Sequence, residues 1–127
     1  MFNNAEVLAM VPVHDIKKAE KFYSQTLELE KYDENPGGIT YRCGATRLFV
    51  YPTPTAGTSQ STVATWEVDD INQTVKDLKA KGIKFEHYDY PGAKHEGDVH
   101  IWENMKAAWF KDPDGNTLGL GNKPNKK

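Results

Sequence analysis

The residues in this chain with chemistry to offer are His14, His87, His95 and His100, the lone Cys43, and the acidic pairs Asp69/Asp70 and Asp112/Asp114. A metal centre needs imidazole nitrogens or carboxylate oxygens that converge on one point. His95 and His100 lie beside Glu96, Asp98 and Glu103, which supply suitable donors. A five-residue spacing places the two imidazoles on opposite faces of a regular strand, so they converge only if the chain bends at Gly97. Val99, Ile101 and Trp102 suggest a strand fragment, but the plainer reading of residues 90–104, broken by Pro91, Gly92 and Gly97, is a polar loop. His14 adjoins a helix start and His87 ends a strand, and both read as solvated. Cys43 has no second cysteine to pair with and reads as a small hydrophobe. Asp112 and Asp114 have the right types for an acid–base pair. In Asp112-Pro113-Asp114-Gly115, however, Pro presets φ and Gly accepts a positive φ, so a turn accounts for both. Asp69 and Asp70 read as helix-start residues, favoured there by the helix dipole and the open amides. No nucleophile elbow is present, and Gly119 with Gly121 lacks the further glycine of a dinucleotide fingerprint.

The elements that position these residues come in two copies. Val13, Asp15 and Ile16 recur 55 positions later as Val68, Asp70 and Ile71, each time with a short apolar run before the Asp and a helical pattern after it. In the first copy, Val7–Val13 predicts a strand. Asp15 caps a helix whose stripe is Ile16, Ala19, Phe22, Tyr23 and Leu27, and strands follow at 30–33, 39–42 and 47–51. Residues 52–62 (PTPTAGTSQST) carry no charge and read as a connector. The second copy predicts a strand at 63–68, then a helix with Ile71, Val75 and Leu78 buried and Asp70 with Gln73 as a capping box. Gly82 ends that helix, and further strands are expected at 83–88, 105–110 and 117–120. The resulting fold class is α+β: a βαβββ module over 5–51, a linker over 52–62, a second βαβββ module over 63–122, and a frayed tail over 123–127.

Composition excludes several function classes. The chain has 127 residues, enough for one compact domain. Lys and Arg total 16 against 18 Asp and Glu, a formal charge of −2, so no broad basic field invites nucleic acid. No apolar run reaches the roughly 18 residues needed to span a bilayer, and Met1–Val13 lacks a secretory signal pattern. A cytoplasmic protein with no membrane partner is expected.

Three segments carry a family resemblance: VHDIKKAEKFY at 13–23, VDDINQTVKDLKAKGI at 68–83 and AWFKDPDGNTLGL at 108–120. They are similar to the vicinal oxygen chelate superfamily, which includes glyoxalase I, extradiol dioxygenases, and bleomycin and fosfomycin resistance proteins. The resemblance implies paired βαβββ modules whose sheets curl round a shared cavity with the helices outside, and it implies a homodimer. In metal-dependent relatives a His stands seven residues before each helix-opening Asp, and a carboxylate ends a module's last strand. Those places hold Leu8, Val63 and Gly119 here, and the strand 48–51 (LFVY) offers no ligand. Apolar groups cannot replace a cation's hydration shell, so no metal and no cofactor is expected.

Strand alternation from Leu8 and Val63 turns Met10, Thr65 and Glu67 toward the cavity as well, and packs Trp66 on the second helix. Phe49, Tyr51, Trp102 and Trp109 are further candidates for its wall. The expected ligand-binding set is therefore Leu8, Met10, Phe49, Tyr51, Val63, Thr65, Glu67, Trp102 and Trp109, with no catalytic residue. The expected function is metal-free sequestration of a small hydrophobic or aromatic molecule in the inter-module cavity, as in bleomycin resistance. Two alternatives stand beside it. One is a glyoxalase-, lyase- or dioxygenase-type enzyme with a metal on His95, His100 and Glu103. The other is a non-catalytic regulatory or interaction protein.

Overall fold

The computed structural model describes residues 1–123, and the expected tail lies outside the described residues beyond Lys123. The chain forms two compact units, Met1–Ser59 with Pro113–Asn116, and Gln60–Asp112 with Thr117–Lys127.

The first unit is built as its hydrophobic periodicity dictates. Strand β1 (Ala9–Val13) leads to α1 (Ile16–Lys21), which continues as a π-helical turn over Phe22–Thr26. The Asp15 side chain accepts from the amides of Lys17 and Lys18 at 3.0 and 3.3 Å, satisfying donors that the first turn leaves open. Strands β2 (Glu30–Asn35), β3 (Gly38–Cys43) and β4 (Thr46–Pro52) complete a sheet in the order β1-β4-β3-β2. One face of this sheet buries Val11, Val13, Ile39, Tyr41, Leu48 and Val50. The helical segment contributes Ala19, Phe22 and Tyr23 to the core, with Tyr23 and Tyr41 rings 6.1 Å apart.

The Pro113–Asn116 turn belongs to this unit. Asp114 Oδ1 accepts from the His14 amide at 2.9 Å, and Asn116 Nδ2 donates to the Pro12 carbonyl at 2.7 Å. His14, expected to be solvated, donates through Nε2 to the Ala56 carbonyl at 2.8 Å.

In the second unit β5 (Thr62–Val68) precedes α2 (Ile71–Ala80), whose Ile71, Val75 and Leu78 are buried. Asp70 caps α2 by accepting from the Gln73 amide at 3.1 Å. The expected capping box is incomplete, because the Gln73 side chain donates to Asp77 at 2.8 Å instead of turning back.

The next stretch departs from expectation. The strand foreseen over 83–88 is only the two-residue β6 (Phe85–Glu86), and the foreseen loop over 90–104 contains β7 (Lys94–Glu96) and β8 (Val99–Trp102). Gly97, at φ +63°, turns these two into a hairpin with a two-residue Gly97-Asp98 connection. Strands β9 (Met105–Lys111) and β10 (Thr117–Asn122) complete the order β5-β10-β9-β8-β7, with β6 paired to β9. The order β1-β4-β3-β2 is thus repeated as β5-β10-β9-β8, and β8 takes the place that the sequence suggested for 83–88. Among the described residues, no helix is long and apolar enough to cross a membrane.

Candidate functional site

Pairing register shows which side chains of the second sheet share a face. Thr65, Gly119 and Trp109 are direct neighbours across β5, β10 and β9, and one step along lie Glu67, Gly121, Ala107 and His100. The opposite face carries the buried Leu118, Leu120, Ala108 and Phe110 and packs on α2. The first set therefore lies on the face away from the helix, as alternation predicted for Thr65 and Glu67.

Gly121 and Ala107 leave a nearly side-chain-free floor between Glu67 on one side and Trp109 on the other. A Cβ on Gly119 would approach Thr65 Oγ1 to 2.8 Å and Trp109 Cδ1 and Nε1 to 3.4 Å each, so those two side chains already close over that position. At Gly121 the nearest atoms stand 3.8 and 3.9 Å from such a Cβ, and the floor is open. The resulting cavity of about 470 Å³ is lined by Thr65, Glu67, Met105, Ala107, Trp109 and Gly121 among others. That size falls within the range that holds small organic ligands. Val63 sits at a register shift, because β10 pairs Thr117 with Thr62 and then Leu118 with Ala64. The extra residue interrupts the strict alternation used to orient Val63.

Beside this trough, Trp109 and Trp102 belong to an aromatic cluster that sequence reasoning missed in part. The Tyr90 ring lies 5.4 Å from Trp109 and 5.7 Å from Trp102, and Tyr88 lies 5.4 Å from Trp109. Fully buried His100 lies 4.8 Å from Trp109 and 4.5 Å from His95. The Gly97 hairpin pairs His95 directly with His100, which supplies the bend that convergence required. Alternating Val99/Ile101 against His100/Trp102, after a Gly-Asp turn, was the available signal.

Each imidazole in this cluster already has a protein partner. His87 Nε2 donates to Asp98 at 2.7 Å, His95 Nε2 donates to the Tyr88 carbonyl at 3.1 Å, and His100 Nε2 accepts from the Tyr88 amide at 2.9 Å. Accepting that bond leaves the His100 proton on Nδ1, which is buried with no hydrogen-bond partner among the described residues. Burial, and then the neighbouring His95, hold His100 below its ordinary pKa, so the ring is neutral. Lys79 and His87 hold Asp98 below the usual carboxylate range. Burial, followed by the Glu86 charge, raises the Tyr88 phenol.

No group of three His, Cys, Asp or Glu among the described residues is placed to hold a metal ion, so the His95, His100 and Glu103 set does not assemble. The family resemblance pointed to three further positions for metal ligands. Leu8, Val63 and Gly119 bear no donor side chain, and a side chain at Gly119 would run into Thr65.

In the first unit, Met10 pairs with Phe49 and Pro12 with Tyr51 on the face away from α1, and the Phe49 and Tyr51 rings stack at 6.2 Å. Met10 is 47% exposed. Leu8 precedes β1 and lines a separate cleft of about 250 Å³ with Glu6, Val7, Thr46 and Arg47, smaller than most ligand sites.

The family model for the Glyoxalase/Bleomycin resistance protein/Dioxygenase superfamily matches residues 7–120. The chain belongs to this superfamily. Solved members share the fold. Lactoylglutathione lyase from Agrobacterium tumefaciens is 20% identical at a TM-score of 0.71, with 94% of this chain and 93% of that one covered. TnmS3, an antibiotic binding protein from Streptomyces sp. CB03234, is 24% identical at 0.71, with 98% and 100% covered. A glyoxalase/bleomycin resistance protein from the same Streptomyces is 25% identical at 0.65, with 91% and 97% covered. No curated protein matches the chain in sequence. Superfamily members share a scaffold and differ in chemistry, so the function must be argued from the trough itself.

Proposed function

We propose that this chain binds a small, flat organic molecule on the open face of its second sheet, without a metal ion, and sequesters it rather than transforming it. The observation that carries this reading is the bare floor of Gly121 and Ala107 beside Trp109. A flat ring laid on that floor contacts backbone from below and the indole from the side, and it removes apolar surface from water. Glu67 and the Thr65 hydroxyl supply an acceptor and a donor at the opposite wall, which orients a ligand bearing an amine or hydroxyl. The solved relatives include both an antibiotic binding protein and a lyase, so the choice between binding and catalysis rests on the residues of the trough. The lack of donor side chains at Leu8, Val63 and Gly119 supports the metal-free reading. We infer in addition a cytoplasmic homodimer, supported by β2, whose six residues are all exposed at a sheet edge.

Proflavine, a flat tricyclic diamine, tests the reading. Titration followed by the dye's fluorescence should show one saturable site that Trp109→Ala removes and a chelator leaves unchanged. No saturable binding, binding that survives Trp109→Ala, or binding lost on chelation overturns it.

A further inference from the structure

We propose that Tyr90 is a built-in plug in a second binding site, a corner formed by Trp102 and Trp109 that accepts a single aryl or phenolic ring once Tyr90 swings out. The two indoles meet nearly at right angles, with interplanar angle 86° and centroids 6.3 Å apart, and His100 and Tyr88 back the corner. Tyr90 lies in that angle and touches both indoles, yet it remains 45% exposed and its hydroxyl has no hydrogen-bond partner among the described residues. A tyrosine selected as core would be covered and its hydroxyl satisfied. Here the ring is held by its faces alone.

The backbone carrying Tyr90 is anchored at one end and loose at the other. Tyr88 is fixed twice, through its amide to His100 and through its carbonyl to His95. Among the described residues, the one backbone bond from Asp89 to Ala93 is internal, from the Ala93 amide to the Tyr90 carbonyl at 3.0 Å. Gly92 at φ +81° closes that turn and Pro91 stiffens it. The turn can leave the sheet as a piece without breaking a bond to any strand. A ring entering from solvent then meets the surfaces Tyr90 has vacated, with its own polar group in water where the Tyr90 hydroxyl now lies. The site shares the Trp109 wall with the trough but lies on the Trp102 side of it, and the argument for it does not use the trough's floor.

A plug lowers apparent affinity by the fraction of molecules in which it is withdrawn. With an open form of about 10% or less, removing the plug tightens binding about tenfold or more. The probe is 4-fluorophenol, read by ¹⁹F NMR on the full chain. Saturable binding is expected in the unaltered protein, about tenfold tighter in Tyr90→Ala and lost in Trp102→Ala. Weaker or equal binding in Tyr90→Ala makes Tyr90 a wall rather than a plug and overturns the proposal, as does unchanged binding in Trp102→Ala. The Tyr90 ring of the unaltered protein checks the motion without a variant: its proton NMR contacts to the Trp102 and Trp109 indoles should disappear at saturating 4-fluorophenol. Contacts that persist also overturn the proposal. Proflavine binding continues in that event, so failure here leaves the trough reading standing.

Discussion

Gly121→Val offers a test in which stability and binding move in opposite directions. Gly121 lies inside β10 without a positive φ, and an added Cβ meets nothing nearer than Thr65 Cγ2 at 3.8 Å and the Lys106 carbonyl at 3.9 Å. A glycine inside a strand costs about 0.5–1 kcal/mol relative to alanine through the freedom it loses on folding, and a β-branched residue suits the strand better still. The substitution should therefore stabilise the fold by about 0.5–1 kcal/mol, raising Tm by about 2–4 °C in a chain of this size. Its two methyl groups occupy the floor on which the ligand is to lie, so proflavine affinity should fall at least about tenfold, equivalent to about 1.4 kcal/mol. Thermal unfolding and dye titration on the same preparation give both numbers. If the protein is stabilised and proflavine binds as before, the ligand does not use the floor. If the protein is destabilised, the space above Gly121 is not open.

Three further outcomes are expected. The folded protein holds His100 below its ordinary pKa, so the unfolded chain takes up that proton first; stability is full above about pH 6.5 and falls as pH drops below it, and denaturant midpoints should show a flatter fall in His95→Gln, which removes one cause of the shift. Asp98 is likewise depressed, which adds a separate loss below the ordinary carboxylate range, and Lys79→Met should weaken that loss in acid titrations. Asp70→Ala removes the α2 cap and should cost about 1 kcal/mol by chemical denaturation, whereas Gly57→Ala, at φ +73° and overlapping the Asp114 carbonyl oxygen, should cost more than about 2 kcal/mol.

Helices and outer strands were legible because their signals are local. Asp15 and Asp70 sit one residue before apolar stripes, and both cap as their side-chain chemistry requires. Thr65 and Glu67 followed from alternation along β5. The 90–104 segment was only partly legible: Val99, Ile101 and Trp102 hint at a strand, but strands of three and four residues give too short a period to outweigh the breakers, and their pairing is created by one positive-φ glycine. His100 was misread for the same reason. A histidine beside charged residues reads as polar, and only cross-strand pairing with His95 and Ala107 reveals that it is covered. Tyr88 and Tyr90 lie in irregular backbone after β6, where no periodicity assigns a face. The bare floor needed three dimensions too. Gly121 and Ala107 are unremarkable in sequence and form a surface only when β9 and β10 are adjacent.

The hydrogen bonds from His14 to Asp114 and from Asn116 to Pro12 mean that the first unit is not encoded in one uninterrupted stretch. Its closing piece arrives about a hundred positions late, after most of the other unit has been made. During synthesis the leading half must wait with the end of β1 unfastened. A fragment ending near residue 60 would lack this fastening permanently, so the tandem copies visible in the sequence are not interchangeable half-proteins.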